Sequence, residues 1–158
     1  MTIEIQLTKG YMAIVDDIDA DLAEMKWYPL TNKKGKTVYA SNANRSMLHQ
    51  VIFERMTGIR LRGNLKVIDH VDHNGLNNQR GNLRLATNGQ NIANRKLSIV
   101  GRSGIRGVRE TPGGRWVAKI GGTHLGTFDT PEEAAARYHI AATERWGEFY
   151  TPNEAAQS

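Results

Sequence analysis

Residues 67–95 read VIDHVDHNGLNNQRGNLRLATNGQNIANR, and the reading of this stretch decides the fold expected for the chain. An apolar run (Leu65, Val67, Ile68) leads into Asp69-His70. A polar loop full of Asn and Gly follows, NLRLAT returns as a short strand, and Thr87 opens a helical NGQNIANRK. The predicted order is strand, loop, strand, helix.

The residue types in this stretch suit one kind of chemistry. Asp69 is a hard anionic oxygen donor, His70 has the side chain whose ordinary pKa lies nearest neutrality, and Asn82, Asn88, Asn91 and Asn94 offer neutral carbonyl oxygens. Such a set fits Mg²⁺ with a proton-accepting imidazole beside it, because Mg²⁺ keeps several waters and takes few protein carboxylates. Composition alone also allows a plainer reading: Asn and Gly are common in turns, and a His beside an Asp is often a surface pair.

The ordered pattern is more specific. Asp69-His70, then Asn82 within NLRLAT, then Asn91 in the helix, resembles the HNH nucleases of ββα-metal fold, notably the phage and intron homing endonucleases. The resemblance covers roughly residues 48–95. It implies that His70 activates water and that Asn82 orients that histidine through its backbone or side chain. It further implies that Asp69 and Asn91 hold one divalent ion, Mg²⁺ or Mn²⁺. Adjacent residues of an extended strand point to opposite faces, so the strand must end or twist at Asp69-His70. His73 reads as a loop residue or a DNA contact, and its spacing from His70 disfavours a zinc pair.

The chain of 158 residues can bury a core, yet two small modules are expected rather than one large domain. It has no Cys, which excludes disulfides, thiolate zinc sites and a Cys nucleophile. No signal peptide or apolar run of about 18 residues stands out, so the expected location is the cytoplasm of a bacterial or phage-infected host cell, with no membrane partner. Net charge is +5, and it is unevenly distributed. Residues 59–102 hold eight basic and two acidic side chains, whereas both flanking segments are close to neutral. That excess coincides with the candidate site and suits phosphate binding by counterion release.

Residues 1–46 read as a small β-rich part. Ile3, Ile5 and Leu7 alternate, Lys9-Gly10 makes a turn, MAIV is a buried strand, and VYA follows the turn-like NKKGK. DDIDADLAEMKW reads as a short helix with favourable Asp residues at its start, and Trp27 and Tyr28 as core. MLHQVIFERMTG is an amphipathic helix ended by Gly58. The nuclease family often has a His-Arg pair before this helix, where this chain has His49-Gln50. His49 reads either as a packed side chain or as a contact to DNA.

The expected domains are residues 1–46, a nuclease core over 47–96, a linker over 97–103 and a carboxy-terminal module over 104–153. In that module GIRGVRE, RWVAKIGG and HLGTF are strand-like, and Thr130-Pro131-Glu132-Glu133 starts a helix as a capping box. Ala134, Ala135, Tyr138, Ala141 and Ala142 form a small-residue face suited to packing on a sheet. The series GIRGVRE, GRWVAKI, LGTF, TPEEAAARY and WGE resembles the AP2 DNA-binding domain, which lays a three-stranded sheet in the DNA major groove and backs it with a helix. Carried to matching positions, the resemblance implies DNA contacts from Arg106, Arg109, Arg115, Trp116 and Lys119, with burial of Trp116 as the alternative. Thr111, Gly113, Gly121 and His124 stand where plant-type domains have further Arg and Trp residues, so base specificity does not carry over.

The fold class expected is therefore α+β: a β-rich start, a ββα-metal core, and an AP2-like three-stranded sheet plus helix. The function expected is a metal-dependent endonuclease acting on double-stranded DNA as monomer or homodimer. One such site cuts one strand per event, so a double-strand break requires a second protomer or a second binding orientation. The alternative is a non-catalytic DNA-binding protein or regulator derived from such a nuclease.

Overall fold

A computed structural model describes residues 1–31, 37–61, 63, 65–95 and 103–152. The turn-like NKKGK and most of the expected linker lie outside the described residues. The chain is α+β and divides into two compact units, Met1–Asn91 and Ile92–Ser158.

The first unit holds three two-stranded antiparallel sheets: β1 (Thr2–Gln6) with β2 (Met12–Asp16), β3 (Tyr28–Thr31) with β4 (Val38–Ser41), and β5 (Lys66–His70) with β6 (Leu83–Thr87). A two-stranded ribbon is at best marginally stable alone, so all three share one core. Ile5, Val15, Leu22, Trp27, Ile52 and Leu83 are buried within it. Helix α1 (Leu48–Thr57) contributes Leu48, Ile52 and Phe53 and ends at Gly58, whose φ of 70° provides the left-handed cap.

Two expectations change here. The acidic stretch Asp17–Glu24 is a 3₁₀ helix kinked at Asp19. The kink turns the Asp19 carboxylate inward, where it is fully buried and paired with Arg80 at 2.8 Å and Arg55 at 3.4 Å. Those acids therefore anchor tertiary structure as well as favouring a helix start. Trp27 is core as expected, its Nε1 donating to the Leu22 carbonyl at 2.8 Å, but Tyr28 is 38% exposed. Consecutive residues leave a strand on opposite faces, so both cannot face one core.

The second unit contains a three-stranded antiparallel sheet in the order β7 (Val108–Glu110), β8 (Trp116–Ile120), β9 (Thr123–Phe128). Helix α3 (Pro131–Trp146) covers one face. Thr130 and Glu133 form the capping box that the sequence predicts. Ala134, Tyr138, Ala141 and Ala142 pack with Val108, Ala118 and Ile120. Gly107, at φ 71°, is required by that packing, since a Cβ there would lie 2.1 Å from the Tyr138 ring.

Candidate active site

β5 ends at His70, directly after Asp69. In the β5–β6 ladder Asp69 stands opposite Arg84, and His70 opposite Leu83. β6 runs directly into α2 (Asn88–Asn94), which carries Asn91. Thr87 and Gln90 close a capping box at that junction: the Thr87 N–H donates to Gln90 Oε1 at 2.8 Å and the Gln90 N–H to Thr87 Oγ1 at 3.3 Å.

Asp69 and His70 are both buried, at 5% and 6% exposure. Arg84 Nε donates to Asp69 Oδ2 at 3.0 Å. The His70 ring meets the His49 ring edge to face at 5.2 Å and the Tyr39 ring at 5.9 Å. Its Nε2 lies 3.4 Å from Asn78 Oδ1. Burial lowers the His70 pKa, outweighing the opposite pull of Asn78, Asp72 and Asp69, so the ring is neutral near pH 7. Burial likewise takes His49 down to about 3, with the neighbouring His70 acting in the same direction.

Asn82 is hydrogen-bonded within the loop that follows His70. Its Oδ1 accepts from the Asp72 N–H at 3.0 Å, and its Nδ2 donates to Asp72 Oδ1 at 2.9 Å and to the Asn77 carbonyl at 2.8 Å. Its carbonyl accepts from the Val71 N–H, next to His70, at 3.0 Å. His73 sits in that loop at φ 67°. Gly75 is needed because a Cβ there would lie 2.5 Å from the Val38 carbonyl and 2.7 Å from the Tyr39 ring.

Tyr39, Asn78 and Arg84 belong to this site and were not singled out by sequence reading. Asn78 is one of several Asn in the loop and nothing local distinguishes it. Arg84 was discoverable from strand periodicity only once the hairpin register was known. His49 faces the His70 ring, which accords with the packed reading.

For a divalent ion, the oxygen donors at the candidate positions are the Asp69 carboxylate and the Asn91 carboxamide. This hard, oxygen-only pair with a single negative charge fits an ion that retains waters and takes phosphate oxygens from its substrate. Among the described residues no three His, Asp or Glu side chains gather as a metal cage.

In the second unit the candidate contacts divide. Arg109 and Lys119 are exposed on the sheet face opposite α3. Arg115 pairs with Asp129 at 3.1 Å, and Trp116 packs against the cluster under α3. The Arg106 guanidinium donates to the carbonyls of Ala93, at 2.6 Å, and Arg95. Asn94 is buried there, its Oδ1 accepting from Thr151 Oγ1 at 2.9 Å.

Residues 46–93 match the family model described as HNH endonuclease. A protein of Acanthamoeba polyphaga mimivirus, described as an uncharacterized HNH endonuclease, is 36% identical over 148 residues, covering 92% of this chain and 76% of that protein. The chain belongs to the HNH endonuclease family. A second relative of this HNH family member is an ethylene-responsive transcription factor of Medicago truncatula, 37% identical over 73 residues, which is 42% of this chain and 27% of that protein. No solved structure matches the chain significantly. Among the described residues, no helix is long and apolar enough to cross a membrane.

Proposed function

We propose that this HNH family member is a divalent-metal-dependent endonuclease that hydrolyses phosphodiester bonds of double-stranded DNA, held on its target by a carboxy-terminal module of AP2 type. The observation that carries the nuclease reading is the placement of a buried His70 next to Asp69, at the end of a hairpin leading into α2. A base must be unprotonated before it can act, and the lowered pKa of His70 meets that condition at pH 7.

His70 accepts a proton from water as the water oxygen attacks phosphorus in line with the departing 3′ oxygen. The new P–O bond forms as the P–O3′ bond breaks, and the leaving oxygen takes a proton from solvent. The products are a 5′ phosphate and a 3′ hydroxyl. Asp69 and Asn91 would hold Mg²⁺ or Mn²⁺, which supplies Lewis-acid stabilisation of the charge that builds on the phosphate and the leaving oxygen. Asn82 keeps the loop after His70 in place through Asp72 and Val71.

The likeness to a transcription factor and the exposed Arg109 and Lys119 support a DNA-binding role for the second unit. On this reading Arg109 and Lys119 reach phosphates or base edges, while Arg106, Arg115 and Trp116 shape the module that presents them. Supercoiled plasmid incubated with the protein tests the proposal. Relaxation or linearisation with Mg²⁺, abolished by chelator, is expected; plasmid left intact at every ion and enzyme concentration would remove the nuclease reading.

A further inference from the structure

The loop between β5 and β6 contains a polar side chain that makes no contact with solvent. Asn78 is 0% exposed. Both ends of its carboxamide are committed: Nδ2 donates to the Leu76 carbonyl at 3.0 Å, and Oδ1 faces His70 Nε2 at 3.4 Å. The Leu76 carbonyl fixes which end is which, because turning the amide over would set Oδ1 against another acceptor.

We propose that Asn78 is the positioning residue that sets the tautomer of His70. The inference rests on reading His70 as the base, and it adds the atom at which the base works. An amide oxygen only accepts hydrogen bonds, so the ring nitrogen facing it must donate. A neutral imidazole has one N–H, which is therefore on Nε2, and the basic lone pair is on Nδ1. The proton taken from water arrives at Nδ1. The positive charge that then develops on the ring is stabilised through Nε2–H and Asn78 Oδ1, since a hydrogen bond strengthens when its donor becomes cationic.

The placement of Asn78 is held from two sides. Its backbone N–H donates to the Ile14 carbonyl at 2.7 Å, and the Ile14 N–H donates to the Leu76 carbonyl at 2.9 Å, so the loop adds itself to the edge of β2. The next two residues are gripped by the same amino-terminal segment. Gln79 Nε2 donates to Asp16 Oδ1 at 3.1 Å, the Arg80 N–H to Asp16 Oδ2 at 2.7 Å, and the Arg80 guanidinium to the buried Asp19. The β-rich start of the chain thus holds the partner of the base. The Asn82 side chain is engaged with Asp72 and Asn77, whereas Asn78 Oδ1 faces the ring.

The test reads the His70 tautomer directly, from ring nitrogen shifts of metal-free, nitrogen-15-labelled full-length protein. The wild type is expected to show a protonated Nε2 and an unprotonated Nδ1. Asn78→Leu, which fills the space but removes the acceptor, is expected to populate the Nδ1–H form. It should also lower the single-turnover rate on the order of 10²-fold, a loss of the size general-base catalysis supplies, with DNA affinity unchanged. Asn78→Asp keeps an acceptor and should retain Nε2–H; if the Leu variant does not fold, the wild-type tautomer decides, since a ring protonated on Nδ1 contradicts an acceptor facing Nε2. Asn82→Ala should leave the tautomer as it is. A wild-type ring protonated on Nδ1, an unaltered tautomer in folded Asn78→Leu, or an altered one in Asn78→Asp would each overturn the proposal. Failure of the nuclease reading shows separately, as intact plasmid, because the tautomer is read without metal or DNA.

Discussion

Arg84 and Asp69 stand opposite each other across the β5–β6 ladder, and the guanidinium Nε reaches the carboxylate at 3.0 Å with both side chains largely buried, at 15% and 5% exposure. The proposed metal-binding carboxylate therefore already has a cation beside it. Removing one partner of a buried ion pair is costly because it strands the other charge, typically by about 3–5 kcal/mol. Arg84→Ala should lower the melting temperature of the metal-free protein. Mg²⁺ should then raise it by more than in the wild type, since the ion replaces a lost positive charge. Calorimetry with and without Mg²⁺ checks this, and equal shifts in the two proteins would speak against Asp69 as a ligand.

His70→Ala tests the base. Single-turnover nicking should fall by roughly 10²- to 10⁴-fold, the range that general-base catalysis supplies. Binding of uncleaved DNA should stay within about twofold, as for a group that contributes in the transition state rather than to ground-state binding. Undiminished nicking would remove His70 from the mechanism.

His49 makes stability depend on pH in a defined direction. Its pKa is lowered in the folded protein, to about 3, from an ordinary value of 6.5. The unfolded chain therefore takes up a proton below pH 6.5 that the folded chain refuses. This contribution is complete above pH 6.5 and is lost as pH falls toward 3, at no more than about 1.4 kcal/mol per pH unit for one histidine. His70, lowered in the same direction, adds to the slope. Urea midpoints from pH 4 to 7 should rise with pH, and His49→Phe, which fills the site without a titrating ring, should flatten the rise. An unchanged slope in that variant would place the effect elsewhere.

Arg109 and Lys119 address DNA in the proposed arrangement, whereas Arg106 is engaged with backbone carbonyls of its own unit. Arg109→Ala and Lys119→Ala should each reduce the slope of log affinity against log salt by about 0.9, the value for one phosphate contact, and leave Mg²⁺ dependence unaltered. Arg106→Ala should lower the melting temperature with a smaller change in slope. Fluorescence titrations at several salt concentrations distinguish the two classes of arginine. A slope indifferent to Arg109 and Lys119 would mean that the outer sheet face does not meet the backbone.

What the sequence determined by itself is local or periodic. The Thr130-Glu133 capping box, the Gly58 stop and the alanine face of α3 each depend on residues within a turn or two, so their spacing is their structure. The placement of Asp69-His70 ahead of a strand and a helix was legible for the same reason, because strand and helix periods differ. The contacts that complete the site were not legible, because they depend on register and on segments far apart in the chain. Asp69 meets Arg84 only through the pairing of β5 with β6. Asn78 differs from the other asparagines around it only because the edge of β2 holds its backbone. Asp19, an ordinary acid in an acidic run, becomes buried because Arg80, 61 residues away, and Arg55 reach it. Tertiary structure alone decided these pairings, since a buried charge or amide is tolerated only where the whole fold delivers its partner.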